Sequence, residues 1–306
     1  MNNVLNFKPF IKIAGGKTAL IPDLLSLLPE DFDKTVKYYS EPFLGGGALF
    51  LHLLGSQGHK IKDYKLNEFN RDLLKLWCTI LNARDLQFSS FIEDVKSLEL
   101  GHCPEQYYRV RANLRTINEN IYDRESSFSA RFLYLNKACF NGLIRYNLKG
   151  EFNSPVGSYK KVKVADEGAL NRLRAFLTQG PDYLVTNVSV HNKDFADVVE
   201  YAIESDSSKD KNKFFYLDPP YIPLSKTANF TQYSPTGFNE YDHWRLLSSL
   251  KLINSSGARF MLSNSDTPLT RHIFKDFNIH QVLCRRNINS KGDKRGKVSE
   301  LVITNY

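Results

Sequence analysis

Cysteine is scarce and scattered in this chain. Cys78, Cys103, Cys139 and Cys284 fall in no CxxC spacing, which argues against a disulfide framework and a zinc-ribbon pattern. No run of about 18 apolar residues occurs, so no membrane-spanning helix is expected. The stretch Met1 to Pro9 has no apolar centre of the signal-peptide kind, and the chain reads as cytoplasmic. Internal repeats and low-complexity segments are lacking as well, so the chain is not read as a repeat array or a biased linker. Acid is in deficit: 33 Asp and Glu against 41 Lys and Arg leave a net charge of +8.

What is present suits a globular protein of one large domain or two, with 306 residues, 42% of them hydrophobic and 13% aromatic. The positive charge is clustered. Between Arg131 and Lys163 seven basic residues face Glu151 alone, and between Arg285 and Lys297 six face Asp293 alone. The rest of the chain is slightly acidic. Such clustering is the footprint of a polyanion-binding surface, and a solvated basic face is the plainer alternative for either window alone.

An α/β order runs through the two ends of the chain. Val36 to Glu41 reads as a strand, Pro42 to Gly47 as a loop, and Ala48 to Leu54 as a helix. A second strand near Lys60 to Leu66 leads to Asn67-Glu68-Phe69-Asn70 and a helix from about Arg71. This is the order of a mononucleotide-binding half, in which an acid after the second strand accepts from ribose hydroxyls. From about Leu73 to Leu135 the periodicity is helical, and Asn141 to Tyr159, punctuated by Gly142, Gly150, Pro155 and Gly157, reads as a hairpin or looped ribbon. Strands resume at Tyr183 to Val190, Phe214 to Leu217, Ala258 to Ser263, His280 to Cys284 and Leu301 to Tyr306, and Glu204 to Lys213 reads as a surface loop. The expected fold is therefore a Rossmann-like α/β sheet from 1–72 and 183–306, interrupted at 73–182 by a mostly helical, basic insertion carrying the hairpin.

Asp218-Pro219-Pro220-Tyr221 follows directly on the apolar run Lys213 to Leu217. Each proline fixes its φ and gives up an N–H, and Pro219 also restricts Asp218. A carboxylate, an unpaired carbonyl and an aromatic ring are thus held at the carboxyl end of a strand, where open α/β sheets place ligands. On the tetrapeptide alone, a solvated turn with a capping Asp is an equal reading. Gly16-Lys17-Thr18 invites a P-loop reading, but the required earlier glycine is Ile11, and that reading fails.

Five segments occur in order: Lys12 to Lys17, Glu41 to Gly47, the Glu68 segment, Asn192 to Phe195, and Asp218 to Tyr221. Together they resemble the Dam family of DNA N6-adenine methyltransferases, the D12 or α class. Asn141 to Asn153 is similar to the DNA-reading hairpin of that family, and Ser290 to Leu301 to its C-terminal basic segment. The family commonly has Trp at position 13, here Ile13, and Asp at position 68, here Glu68. The resemblance implies that S-adenosylmethionine lies among Ile13, Ala14, Gly15, Lys17, Glu41, Pro42, Phe43, Gly45 and Gly47. Glu68 would take its ribose, Asp194 and Phe195 would flank its adenine, and Asp218 would stand at its methyl end.

It further implies double-stranded DNA as substrate, the palindrome GATC as target and no metal. Asp218, with Pro219, would accept the two N–H groups of adenine N6 and favour the localised lone pair that attacks, while Pro220 stiffens the turn and Tyr221 stacks on the extruded base. Arg145 would read a guanine and Lys12 another, Leu143 and Pro155 would make apolar contacts, and Phe140 would wedge into the stack or fill the hairpin core. Lys137, Lys160, Lys161, Arg295 and Lys297 would bind phosphates, and Asn141, Asn147 and Tyr159 complete the expected DNA contacts. Phe230 to Tyr233 is read as a loop closing over the base, and Ser263 to Asp266 either lines the site or caps a helix. A monomer suffices, with a cognate restriction endonuclease a candidate partner. Cytosine-N4 or protein glutamine methylation, and a DNA-binding protein without catalysis, are the competing functions.

Overall fold

In the computed structural model, which describes residues 5–57, 60–114, 124–178, 187–205, 207–223, 237–285 and 297–306, seven strands form one sheet. They are β1 (Tyr38–Glu41), β2 (Asp63–Asn67), β3 (Asn187–His191), β4 (Lys213–Leu217), β5 (Arg259–Ser265), β6 (Asn278–Arg285) and β7 (Lys297–Thr304). Their order is β3-β2-β1-β4-β5-β7-β6; the first five are mutually parallel, and β7 inserts antiparallel between β5 and β6. The parallel part has the Rossmann order.

β4 shows why an uninterrupted apolar run marks a central strand. All five of its residues are buried, because helices cover both faces of the sheet. Phe214 and Tyr216 point into one core and Phe215 and Leu217 into the other, as the two-residue period requires. On the first face lie α1 (Ile21–Ser26), α2 (Phe32–Thr35), α3 (Ala48–Gln57) and α4 (Arg71–Asn82), and beyond them α5 (Asp85–Leu100), α6 (Pro104–Ala112), α7 (Arg124–Ala138) and α8 (Glu167–Thr178). The second face carries α9 (Phe195–Glu204), α10 (Glu240–Ser256) and α11 (Pro268–Ile273).

α4 ties the insertion to the sheet. Asn70 caps it by accepting from the N–H groups of Asp72 and Leu73, and Leu73, Leu76, Trp77 and Ile80 form its buried stripe. The helix packs on β3 and on α7, and one apolar core runs from the sheet through α5, α7 and α8. Packing alone therefore does not separate 73–182 from the rest.

Of the two expected forms, hairpin or looped ribbon, Asn141 to Tyr159 takes the second, with two isolated bridges, Cys139 to Val156 and Tyr146 to Phe152, and left-handed turns at Gly142 and Gly150. Several boundaries differ from the sequence expectation. The expected loop 204–213 contains a 3-10 turn, Ser207–Asn212. The last strand begins at Lys297, four residues before the apolar run that signalled it. Positions 183–186, Phe230 to Tyr233 and Arg295 lie outside the described residues, as does the side chain of Lys297.

Candidate active site

β1 and β4 are adjacent and parallel at the point where strand order reverses, with Ser40 opposite Phe215. The loops that leave their carboxyl ends, Pro42 to Gly47 and Asp218 to Tyr221, must emerge side by side, and between them the sheet opens a crevice. The glycine loop needs its glycines for two reasons. Gly45 (φ 50°) and Gly47 (φ 61°) are left-handed, and a Cβ on Gly47 would stand 2.8 Å from the Trp77 ring. Trp77 Nε1 donates to Gly45 O at 2.9 Å, so α4 supports the loop from below.

Glu68 clamps the same loop from the side. One carboxylate oxygen accepts from Gly45 N at 2.9 Å and the other from Asn70 N at 2.7 Å. Burial pushes its carboxyl up to about 7, with the two N–H groups pulling the other way. A carboxylate oxygen has further lone-pair sites, so ribose hydroxyls can still be accepted. Asn67 brackets three strand ends, donating to Pro42 O and Lys193 O and accepting from Lys193 N. Glu41 is buried and accepts from the Tyr39 hydroxyl, and burial together with nearby Asp218 raises its carboxyl well above the ordinary range.

The N-terminal segment crosses the glycine loop. Ile13 lies beneath Gly45 and Gly46, closely enough to be the nearest neighbour of a Cβ at either. Lys17, 5% exposed, donates to Gly15 O, sits 4.7 Å from the Tyr221 ring centroid, and pairs with Asp218 Oδ1 at 3.0 Å. Lys17 is therefore the charged partner of the Asp218 carboxylate. The Pro219 carbonyl accepts no hydrogen bond among the described residues. A carboxylate paired with Lys17 and a carbonyl that accepts no such bond thus stand side by side on a rigid turn. Burial raises the Asp218 carboxyl above its ordinary range, Lys17 pulls it back, and Glu300 adds to the rise.

Tyr221 and its neighbour are anchored by Glu300 and by two residues of the Ser263 to Asp266 stretch expected at the site, of which Ser265 lines the cavity. The Tyr221 hydroxyl donates to Glu300 Oε2 at 2.9 Å. Ile222 N–H donates to Asn264 Oδ1 at 3.2 Å, and Ser265 Oγ donates to Ile222 O at 2.6 Å, so β5 grips the chain behind the tetrapeptide. Asp266 neither lines the site nor caps α11. It binds Arg271, Ser299 and Gln281, and Thr267 supplies the cap.

At the far end, Asp194 caps α9 and pairs with Arg245 at 2.7 Å, and Arg245 lies 4.9 Å over the Phe195 ring. Phe195, Phe43 and Phe238 form one aromatic cluster there. One cavity of about 1130 Å³ joins this cluster, the glycine loop, Glu68, Asp218 and, at its outer mouth, Lys12, Asn141 and Leu143. It exceeds the roughly 300–1,000 Å³ that one drug-sized ligand needs, leaving room for a nucleoside cofactor and a base together. Inside a basic protein its inner lining is acidic, with Glu41, Glu68, Asp218 and Glu300 around Lys17. Burial raises the carboxyls of Glu41, Glu68 and Asp218 above their ordinary range.

The ribbon carries most of the residues expected to contact DNA, and two of them, Asn141 and Leu143, line the cavity. Arg145 is exposed and steadied by Asn153, through Nε to Oδ1 at 2.9 Å and Nη2 to O at 3.2 Å, with other guanidinium donors facing out. Phe140 is 50% exposed, so the hairpin-core alternative is corrected: it stands out from the core. Pro155, Tyr159, Lys160 and Lys161 are exposed, Asn141 is exposed in a left-handed conformation, and Leu143 is half-buried. Asn147 differs from expectation: its amide and carbonyl both bind within the loop tip, to Glu151 and Lys149. Lys12 reaches Tyr159 and the Lys137 carbonyl, and burial with nearby Lys12 lowers Lys137 to about 8. Asn136, fully buried, joins the two segments by accepting from Lys12 N and donating to Lys12 O and Gly142 O. Sequence signals for Trp77, Asn136, Arg245 and Glu300 are weak, because each acts on a partner far along the chain. No group of metal-ligating side chains occurs among the described residues, and no helix there is long and apolar enough to cross a membrane.

Comparison with known proteins agrees with this geometry. Residues 14–288 match the family model of the D12 class N6 adenine-specific DNA methyltransferases. The type II methyltransferase M.MjaIII of Methanocaldococcus jannaschii is 38% identical over 99% of this chain and 100% of its own. The type II methyltransferase M1.LlaDCHI of Lactococcus lactis subsp. cremoris is 34% identical over 99% and 97%. The DNA adenine methylase of Escherichia coli K12 is 32% identical over 96% and 94%.

Proposed function

This chain belongs to the D12 class of N6 adenine-specific DNA methyltransferases, and from that premise we propose that it takes its methyl group from S-adenosylmethionine and acts on an adenine extruded from duplex GATC. Adenine N6 methylation of DNA is the family's reaction; the cofactor, the extrusion and the target sequence are our reading. The observation that carries it is the juxtaposition of two acceptors, the Asp218 carboxylate paired with Lys17 and the Pro219 carbonyl, in a cavity large enough for cofactor and base. An amino group with two N–H bonds matches two adjacent acceptors.

S-adenosylmethionine supplies an electrophilic methyl on a sulfonium when bound. Glu68 and the glycine loop would hold its ribose, the Phe195 cluster its adenine, and the acidic inner lining its positive charge. Asp218 and Pro219 would take the two N6 hydrogens, drawing the nitrogen toward the pyramidal geometry of the transition state, where their interaction is strongest. Tyr221 would stack against the base, which is unreachable within the helix. A raised Asp218 pKa also makes that carboxylate a better proton acceptor after transfer than an ordinary Asp. Lys17, paired with Asp218 here, would have to yield part of that contact to the incoming amino group.

The target rests on the ribbon around Arg145, whose sequence resembles the family's GATC-reading hairpin. Bidentate contact of Arg145 with guanine O6 and N7 is the expected direct readout. The test is methylation of a duplex library carrying GATC and every single-base change of it, with labelled S-adenosylmethionine. Transfer confined to GATC is expected; equal transfer to a changed site, or none with this cofactor, contradicts the reading. Association with a cognate endonuclease is proposed only in keeping with the names of the two type II relatives.

A further inference from the structure

Beyond the tetrapeptide, one more buried carboxylate reaches the acceptor site. Glu300 lies on β7, opposite Ser265 of β5 and Val282 of β6, and is 9% exposed. Its Oε2 accepts from the Tyr221 hydroxyl at 2.9 Å. Burial and the neighbouring carboxylates of Asp218 and Glu300 push the phenol well above its ordinary range, so the hydroxyl stays a donor. On the main-chain side, Asn264 and Ser265 hold both backbone groups of Ile222. The ring is therefore fixed at both ends, by β5 through the backbone that follows it and by β7 through its hydroxyl. Stacking alone would be served by phenylalanine. A buried hydroxyl tied to a carboxylate adds something stacking does not need: a fixed ring plane.

We propose that Glu300 is a positioning residue for methyl transfer, holding the Tyr221 ring by its hydroxyl so that a base stacked on it presents N6 to Asp218 and Pro219. This rests on the acceptor-site reading above. Glu300 touches neither base nor cofactor in this role; its effect passes through one hydrogen bond, and so it belongs in turnover and not in binding.

The test is steady-state kinetics of the full-length protein with labelled S-adenosylmethionine and target duplex, comparing Glu300→Ala, Glu300→Gln, Tyr221→Phe and the Glu300→Ala/Tyr221→Phe pair. Glu300→Ala and Tyr221→Phe should each lower kcat about tenfold, the size expected for one hydrogen bond to a charged group. Both KM values should stay within about twofold, and the double variant should be no slower than the slower single one. Glu300→Gln keeps an acceptor oxygen and should fall no more than about threefold. Losses that multiply in the double variant, a Gln variant as slow as Ala, or a raised KM at unchanged kcat would each overturn the proposal. Should Glu300→Ala not fold, undiminished kcat in Tyr221→Phe overturns it alone. Asp218→Ala, run alongside, separates the two readings: turnover surviving there counts against the acceptor site itself, whereas loss there with wild-type kcat in Glu300→Ala counts against Glu300 only.

Discussion

Glu68 is pulled two ways, and the balance sets a pH dependence. Burial pushes its carboxyl up to about 7, outweighing the two N–H groups that bind it. Below that value it is protonated; above it, it is ionised and accepts stronger, charge-assisted hydrogen bonds while offsetting a cation. Affinity for S-adenosylmethionine should therefore rise as pH increases toward 7, by up to about tenfold per unit, and level off above. Equilibrium dialysis across that range should show the slope in the wild type and not in Glu68→Gln; equal slopes would move the titration to another group. Gly47 makes a different residue-scale prediction. Gly47→Ala combines a left-handed φ of 61° with a Cβ 2.8 Å from Trp77, so the variant should lose at least about 2 kcal/mol in denaturant unfolding. An unchanged midpoint would mean that the loop relaxes freely.

The elements that carry chemistry were legible where the signal is local. An apolar run closed by Asp218-Pro219-Pro220-Tyr221 fixed β4 and its turn, and the glycine loop with Glu68 fixed the β1 to β2 half. The supports were not legible, because their partners are remote in sequence. Asn136 binds Lys12, 124 residues away, and Glu300 binds Tyr221, 79 residues away. A single Asn or Glu in a helix or strand announces no such partner. Which of hairpin or looped ribbon the segment forms was not legible for a related reason: its turn residues were visible, but the scarcity of cross-pairing between them was not. At this scale Asn136→Ala should leave Lys12 N and O and Gly142 O short of partners and cost about 3 kcal/mol. Unfolding curves measure that, and wild-type stability would refute the staple. Arg145→Ala, by contrast, should leave stability near wild type and relax discrimination at one guanine by about 1–3 kcal/mol. Competition binding with base-substituted duplexes would exclude Arg145 as a reader if the preference profile stayed the same.

Across the whole molecule, charge is sorted by depth. The chain is basic overall, its ribbon carries exposed lysines near the cavity mouth, and its inner cavity is acidic around a single buried lysine. On the proposed function, a polyanion would be drawn to the outside and a cation accommodated within, so that one crevice could take DNA and a sulfonium nucleoside from its two ends. Sorting of this kind could not be read from net charge alone, since sequence windows do not reveal which carboxylates the sheet gathers. The most direct test is nucleoside analysis of a target duplex incubated with labelled S-adenosylmethionine and either wild type or Asp218→Ala, with DNA binding measured in parallel. The account predicts label in N6-methyladenine with wild type, and with the variant a loss of at least about 10²-fold at near-normal DNA affinity. Label appearing at a comparable rate in the variant, or on another base with wild type, would contradict it.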